Sequence, residues 1–300
     1  LQKLSTLQFY DTTLKCFLNG RQVVGQCPIN GCQSERGYAD ECSLGHQYQP
    51  QELLSPVSSL SDTTPKLREI ENWYIETNSV KTALDTWLQH CKDNRTLRRF
   101  AQSDVEEFFA PPIIHILSKF EENFEAIQGS LPAHTVHKGK GKSFQVEFEN
   151  LGDREVACDS LSAAGIQYRN GKTLVPFRLT GNIEWGVPVP GNPDLTFWVW
   201  PESLWAPISF TAAYLESIGK PKEKWIDWWC SKDSQVYQFI GEDNVYFYGP
   251  AQTAIFAGLT GESPSGIPEE GQLQHTQLIV NKHLLFLNSK ASSSGKIKPP

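Results

Sequence analysis

Three cysteines and a histidine in the first fifty residues have a spacing that could bind a metal ion. Four residues separate Cys27 from Cys32, nine separate Cys32 from Cys42, and three separate Cys42 from His46. Thiolate and imidazole are the ligands that zinc takes in tetrahedral structural sites. The sequence therefore predicts that Cys27, Cys32, Cys42 and His46 bind zinc. The alternative is four unrelated residues in a loop.

This predicted site is structural rather than catalytic. Four protein ligands fill a tetrahedral zinc ion and leave no position for a reactive water molecule. Gly31, Gly37 and Gly45 lie between the ligands and supply the backbone freedom that tight turns require.

A second candidate site follows the apolar segment VYQFI at residues 236–240. Gly241, Glu242 and Asp243 come directly after it. A carboxylate after a glycine at the end of a parallel strand is well placed to hold ribose hydroxyls, since ligands bind outside the carboxyl ends of such strands. The alternative is that Asp243 is a helix cap or a turn residue.

The last residues of the chain, 288–300, read NSKASSSGKIKPP. Lys290, Ser292 and Ser294 belong to a cationic, hydroxyl-rich loop that could close over the phosphates of a nucleotide. Taken alone, the same segment could be a solvated tail.

A basic, glycine-rich loop, HTVHKGKGK, occupies residues 134–142 and is followed by Ser143. A phosphate-binding P-loop requires a glycine five positions before Gly141, where this chain has Val136. We therefore reject that motif. The loop is interpreted as a solvated turn, with contact to nucleic-acid phosphate as the alternative.

The elements that must position these residues follow from apolar periodicity and turn signals. We expect strands at 66–77, 144–148, 196–200, 236–240 and 278–287, and helices at 79–92, 153–164, 207–217 and 250–259. A further helix is expected to start at Pro111-Pro112 and to carry Ile113, Ile114, Ile116, Leu117, Phe120 and Phe124. Asn170-Gly171 predicts a hairpin turn. Alternating strands and helices indicate a doubly wound α/β fold.

Composition limits the function classes. The net charge of -7 argues against nucleic-acid binding through overall charge, so any such contact needs a local basic patch. No apolar run approaches the ~20 residues of a membrane helix, and the first residues do not form a secretory signal. The seven cysteines, an odd number, indicate a reducing compartment and a cytoplasmic location. The absence of methionine indicates that the sequence begins inside a longer protein or that methionines are missing from it.

Taken in order, these segments resemble methionyl-tRNA synthetases, a family of class I aminoacyl-tRNA synthetases. The resemblance rests on the cysteine-rich knuckle followed by ELLSP, then TTPKLR and GNIEWGVPVP, then FWVW with ISFT, YQFIGEDNVYF, and KASSSG in place of the family's KMSKS loop. It covers nearly the whole chain apart from an insertion at about 108–176.

The resemblance implies the second half of a class I Rossmann catalytic domain, preceded by a zinc-knuckle connective insertion and interrupted by a small extra α/β insertion. The expected parts are 1–65 (zinc knuckle), 66–107 (remainder of the connective insertion), 108–176 (extra insertion) and 177–300 (second catalytic half). The family's other half carries the HIGH motif, whose histidines stabilise the reacting phosphate. No such motif stands in this sequence, so the chain alone is expected to be catalytically incomplete.

The resemblance also implies roles for site residues. Gly241 and Asp243 would contact the adenosine ribose, and Lys290 with the following serines would contact the phosphates of ATP bound with magnesium. Trp200, Glu202 and Tyr248 would line the amino acid pocket.

The sequence departs from the family pattern in the serine loop and in the amino acid pocket. Ser293 replaces the second lysine of the loop. A lost charge-assisted hydrogen bond costs about 1.5–3 kcal/mol, or roughly one to two decades in rate. The pocket segment reads WPESLWAP, without the family's alanine, proline and specificity tyrosine at their usual places. These changes leave the selected amino acid open between methionine and a related residue.

Three functional hypotheses follow. The first is a portion of an ATP-dependent aminoacyl-tRNA ligase of the methionyl type, with ATP, an amino acid and tRNA as partners and no membrane contact. The second is a related non-ligase protein that binds an amino acid, a nucleotide or tRNA. The third is a zinc-stabilised structural fragment without a ligand of its own.

Overall fold

The computed structural model describes residues 1–29, 32–39, 41–43, 48, 50–95, 97–139, 141–182 and 186–282, and the backbone of 285–286 and 289–290. The strands are β1 (Gln2–Asp11), β2 (Cys16–Phe17), β3 (Val23–Gln26), β4 (Gly37–Tyr38), β5 (Leu54–Ser58), β6 (Lys66–Ile75), β7 (Ile113–Leu117), β8 (His134–His137), β9 (Ser143–Phe148), β10 (Tyr168–Asn170), β11 (Phe177–Arg178), β12 (Thr180–Gly181), β13 (Pro188–Val189), β14 (Asn192–Phe197), β15 (Tyr237–Gly241), β16 (Gln277–Asn281), β17 (Leu285–Phe286) and β18 (Ser289–Lys290). The helices are α1 (Lys81–Asp93), α2 (Arg99–Phe109), α3 (Glu121–Ile127), α4 (Leu151–Ala163), α5 (Val199–Ser217), α6 (Ile226–Trp229) and α7 (Gln252–Thr260).

The chain forms two compact units. The first comprises residues 1–76 and 176–209, and the second comprises residues 77–175 and 210–300. Across the ranges given above, no helix is both long and apolar enough to span a bilayer.

The first unit is built on a long antiparallel pair, β1 and β6, which pair from Gln2 with Tyr74 to Tyr10 with Lys66. Strands β11 and β2 flank this pair in the order β11-β6-β1-β2. Two three-stranded sheets, β4-β3-β5 and β12-β14-β13, complete the unit. Alternate residues of β6, from Ile70 to Tyr74, are buried, as expected for a strand with one covered face.

The second unit contains a parallel β-α-β arrangement. Strands β15 and β16 pair in parallel, with Gly241 opposite Asn281 at their carboxyl ends, and α7 lies between them in the chain. Helices α1 and α2 pack on this pair through a core that contains Trp87, Leu97 and Leu278. The strand and helix predicted at 236–240 and 250–259 are confirmed within two residues.

The segment between α2 and Pro176 has a core of its own. Its elements follow in the order β7-α3-β8-β9-α4-β10, and its sheet has the order β10-β7-β9-β8 with every pair antiparallel. This is the split β-α-β topology of ferredoxin-like folds. Its buried side chains are Ile114, Ile116, Phe124, Phe144, Val146, Phe148, Ala157, Cys158, Leu161 and Ile166.

The prediction of a helix that starts at Pro111-Pro112 is wrong for its first residues. Residues Ile113–Leu117 form β7, the second strand of the insertion's sheet, and the helix begins only at Glu121. Ile114 and Ile116 are buried, while their neighbours are more exposed, which is strand alternation. Branched isoleucine side chains also pack well on a pleated surface.

Three other expectations need correction. Asn170-Gly171 does not form a hairpin turn, because Asn170 ends β10 and β10 pairs with β7. The Gly171 amide donates to the carbonyl of Ile113 at 2.8 Å. The expected strand at 196–200 ends at Phe197, because α5 starts at Val199. The expected strand at 278–287 ends at Asn281.

Replacement of Gly249 by alanine tests the packing of the second unit. A Cβ atom at this position would lie 2.6 Å from the Trp87 ring, which is fully buried. We expect Gly249→Ala to lower the free energy of unfolding by about 1–3 kcal/mol, as overpacked cores do, measured by urea denaturation with tryptophan fluorescence. The control is Gly258→Ala in α7, where a Cβ meets nothing within 4 Å. We expect that change to be neutral or stabilising by about 0.5–1 kcal/mol. Equal unfolding curves for the two variants would contradict the packing.

Candidate functional site

The three predicted cysteine ligands lie together. The sulfur atoms of Cys27, Cys32 and Cys42 are all within 4.8 Å of one another, and those of Cys32 and Cys42 are 3.9 Å apart. Zinc–sulfur bonds of about 2.3 Å in a tetrahedral site place two sulfurs about 3.8 Å apart. The sulfur geometry therefore fits a metal ion. The fourth predicted ligand, His46, lies outside the described residues.

Local backbone structure brings the thiols together. Cys27 follows β3, which pairs with β4, and Cys42 forms a β-bridge with Gly37 of β4. A Cβ atom on Gly37 would lie 2.7 Å from the Tyr48 hydroxyl and 3.1 Å from the Cys27 amide nitrogen. Only glycine leaves room for this close approach of the two strands.

The thiol electrostatics are those of a partly buried cluster. Burial raises the pKa of Cys27 to about 11, and the neighbouring sulfurs of Cys32 and Cys42 add to the rise. A bound cation acts in the opposite direction, because coordination stabilises the thiolate. The cluster can therefore bind a soft cation, and it is poorly suited to be a nucleophile.

Gly241 and Asp243 lie at the carboxyl end of the parallel pair. Gly241 ends β15, and Asp243 lies in the short 3₁₀ turn Glu242–Asn244. The Asp243 carboxylate folds back over Gly241, where a Cβ atom would lie 2.7 Å from its Oδ1 atom. Asn244 donates to the same oxygen at 3.0 Å. The side chain of Asp243 is exposed to solvent at the strand end.

Tyr248 lies in a π-helical turn that the sequence analysis did not predict. Residues Phe247–Ala251 form this turn directly before α7, with Pro250 inside it. Tyr248 is half-buried against the Trp87 core, and Gly249 packs on the indole. Such π-turns occur frequently at functional sites. Proline within an apolar helical stretch is the sequence signal that could have indicated it.

Trp200 and Glu202 lie in the first two turns of α5. Trp198, which lies just before α5, donates its backbone N–H to the Leu179 carbonyl at 2.8 Å. The Arg178 guanidinium lies 4.8 Å from the ring centroid of Trp198. Trp200 is half-buried and Glu202 is exposed. These residues belong to the first unit, whereas Gly241, Asp243 and Tyr248 belong to the second.

The predicted phosphate loop is described only at its first residues. The backbone of Ser289–Lys290 forms β18, which pairs antiparallel with β17. The Lys290 side chain, Ser292 and Ser294 lie outside the described residues. The backbone of these two loop residues therefore pairs with a strand that precedes the loop.

A cleft in the second unit contains a histidine that the sequence analysis passed over. The cleft has about 390 Å³ of empty space, including its mouth, and is lined by residues of α1, α7 and the segment 260–276. The rings of His275 and His90 are 5.6 Å apart. Burial lowers the pKa of His275 to about 4, and the nearby His90 contributes to the decrease. Burial also lowers the pKa of His90, while Asp93 opposes that change.

Polar side chains in and beside this cleft bond to other groups of the fold. Gln252 accepts hydrogen bonds from Gln238 at 2.7 Å and from Thr276 at 3.2 Å. Glu262 accepts from the Ala83 amide at 2.7 Å, which satisfies a donor at the start of α1. These groups have partners within the fold, so we regard the cleft as part of the scaffold.

Comparison with known proteins gives a consistent set of relatives. A family model described as "tRNA synthetases class I (M)" matches residues 1–115 and 166–298. The methionine–tRNA ligase of Salinispora arenicola is 25% identical over 291 residues, which are 93% of this chain and 37% of that protein. The corresponding enzyme of Thermofilum pendens is 27% identical over 292 residues, 96% of this chain and 38% of that protein. The chain thus spans less than two fifths of the length of these relatives.

Among solved structures, a Mycobacterium tuberculosis methionyl-tRNA synthetase bound by methionyl-adenylate matches 99% of this chain and 38% of its own chain. The sequence identity is 13% and the TM-score is 0.39. Residues 116–165, which the family model leaves unmatched, lie between the end of β7 and the loop after α4. They are most of the split β-α-β insertion.

The His275 environment predicts acid sensitivity. Between pH 6.5 and about 4 the unfolded chain binds a proton that the folded chain rejects, so the free energy of unfolding falls as the pH falls through this range. We expect a loss on the order of 2–3 kcal/mol, measured by urea denaturation at successive pH values. His275→Gln should remove most of this dependence. His90→Gln should give an intermediate result, because burial, the larger cause, remains. A His275→Gln variant with the wild-type pH dependence would refute the assignment.

Proposed function

Because this chain belongs to the class I tRNA synthetase family of the (M) type, we propose that it is a portion of an ATP-dependent methionine–tRNA ligase. The observation that carries the proposal is the family match over both compact units, joined with an aspartate exposed at the carboxyl end of the parallel pair β15–β16. The reaction would form an aminoacyl-adenylate and then transfer the amino acid to tRNA. Relatives that match this chain are named methionine–tRNA ligase.

The strand end supports nucleotide binding. An adenosine lying across the ends of β15 and β16 would present its ribose hydroxyls to the Asp243 carboxylate. Gly241 has no side chain to block that approach. The exposed carboxylate can accept two hydrogen bonds from adjacent hydroxyls, so it would fix the orientation of the nucleotide.

The phosphates would be held by residues beyond this strand end. Lys290, Ser292 and Ser294 are proposed to contact the phosphates of ATP bound with magnesium and to neutralise charge that develops on pyrophosphate. Ser293 stands where the family has a second lysine, so this chain supplies one fewer charge there. Trp200, Glu202 and Tyr248 are proposed to line the amino acid pocket.

Zinc is proposed at Cys27, Cys32, Cys42 and His46. Three thiols at the observed separations form the donor set that zinc prefers in structural sites. When bound, the ion would cross-link β3, β4 and the segment that follows them. A protein with several thiolate ligands functions best in a reducing compartment, which favours the cytoplasm.

The non-ligase alternative rests on the altered pocket segment WPESLWAP and the missing lysine. A related protein with these changes would bind an amino acid, a nucleotide or tRNA without forming adenylate. Adenylate formation separates the two hypotheses.

The zinc proposal predicts one metal ion per chain by elemental analysis of protein purified without added metal. We expect Cys42→Ser to lose the ion and to unfold at lower denaturant concentration, because the remaining ligands no longer cross-link the segment. The control is Cys230→Ser, a buried cysteine of the second unit, which should retain the metal. A metal-free wild-type protein of equal stability would exclude the site.

The nucleotide proposal is tested by ATP–pyrophosphate exchange with the full-length protein and each of the twenty amino acids. We expect exchange with methionine or a related residue. Asp243→Asn should reduce it by roughly one to two decades, since a hydrogen bond to a charged group contributes about 1.5–3 kcal/mol. Asp233→Asn, at an exposed acid before the amino end of β15, is the control and should retain exchange. No exchange with any amino acid would reject the ligase and favour the binding protein.

A further inference from the structure

Four exposed cations surround the connection between α1 and α2. Arg95, Arg98 and Arg99 lie in and directly after this connection, and Lys282 directly follows β16. Leu97 is buried in the same core as Leu278 and Val280 of β16, so the connection is anchored on that strand. The ammonium group of Lys282 lies 5.0 Å from the ring centroid of Phe100, which follows Arg99. We name these four residues the α1–α2 cationic patch.

Among the residues that the structure describes, no carboxylate lies within ion-pair distance of Arg95, Arg98, Arg99 or Lys282. Two nearby lysines do form ion pairs: Lys92 pairs with Glu106 at 2.9 Å, and Lys172 pairs with Asp104 at 3.0 Å. The only acid in the segment 92–99 is Asp93, which accepts from Gln89 at 2.7 Å. The patch therefore keeps its charge for an external partner.

The other basic loop of the chain makes a useful contrast. Lys138 in the segment 134–142 contacts Glu121 at 2.5 Å and Glu125 at 3.1 Å. Its charge is already balanced by α3 of the same insertion. This favours the solvated-turn interpretation for that loop and makes the α1–α2 patch the better candidate for binding an anion.

Folding stability does not account for the patch. Arg98 is the N-cap of α2 and Arg99 is its first residue, where the positive end of the helix dipole disfavours cations. The first turn of α2 carries no acid to offset them. The chain as a whole has a net charge of -7, so the patch is a local exception. Guanidinium groups in such a cluster match phosphate oxygens through paired hydrogen bonds.

The α1–α2 cationic patch lies beside the proposed nucleotide site, which indicates the kind of anion that it binds. Lys282 comes one residue after Asn281, the partner of Gly241 in the parallel pair. The patch thus adjoins the strand ends that carry Asp243. We propose that the α1–α2 cationic patch binds the phosphate backbone of an RNA strand whose end reaches the nucleotide site. The choice of RNA rests on the proposed function; the patch itself rests on the charges and contacts above.

The test compares three proteins in binding to a fluorescein-labelled tRNA transcript by fluorescence anisotropy at several salt concentrations. They are the wild-type chain, the variant Arg95→Gln/Arg98→Gln/Arg99→Gln, and the control Lys220→Gln/Lys222→Gln/Lys232→Gln. The control lysines are exposed and precede the amino end of β15. Both variants change the net charge equally. Circular dichroism melting verifies that each is folded.

We expect the arginine variant to bind at least about tenfold more weakly, and the slope of log affinity against log salt to fall by about 2–3. The control should stay close to the wild type. Equal affinity and slope for the wild type and the arginine variant would overturn the proposal. Equal loss in the control would also overturn it, because binding would then follow net charge alone.

The assay contains no ATP and no amino acid, so it is independent of adenylate formation. If RNA binding depends on the patch but the protein shows no pyrophosphate exchange, the RNA-binding proposal is supported and the ligase proposal is refuted. Exchange without patch-dependent RNA binding would support the ligase and refute the patch.

Discussion

The burial of Trp87 is the contact on which the second unit depends. Its side chain is fully buried on α1, its ring packs on Gly249, and its indole nitrogen donates to the Thr276 carbonyl at 3.4 Å. One residue thus touches the π-turn after β15 and the segment that leads into β16. Burial of an aromatic ring in a closely packed interior is among the larger single contributions to stability. Trp87 also shares its core with Leu278 and Val280 of β16 and with Val245, which follows the turn that carries Asp243.

Several buried polar groups of each unit bond to neighbours in the fold, which restrains the surrounding segments. In the second unit, Gln238, Gln252 and Thr276 bond to one another across β15, α7 and the approach to β16. In the first unit, Arg178 donates to the Thr180 carbonyl at 2.7 Å and to the Gln8 side chain at 3.0 Å. Burial lowers the pKa of this arginine. Such networks cost free energy unless every member is paired, so they favour one arrangement of the strands.

The insertion shows why local pattern can mislead. Six apolar residues between Ile113 and Phe124 satisfy a helical spacing, yet β7, a 3₁₀ turn and α3 divide them. The isoleucines pair with β9, a strand that begins some thirty residues later, at Ser143. That long-range pairing outweighs local propensity, which is a weak guide for short apolar runs. Asn170-Gly171 fails as a hairpin for the same reason, since β10 finds its partner in β7.

The sequence by itself determined the family, the cysteine spacing that brings three sulfurs together, and the glycine and aspartate at the end of the strand Tyr237–Gly241. These features are local in the chain or repeat in a fixed order, so they can be read without coordinates. Tertiary structure decided which elements pair, that a π-turn positions Tyr248, and that His275 faces His90. It also distinguished the basic loop at residues 134–142 from the α1–α2 cationic patch. Glu121 and Glu125 neutralise Lys138, whereas Arg95, Arg98 and Arg99 meet no carboxylate among the described residues. Charge pairing depends on distance in space, and only the folded chain sets that distance.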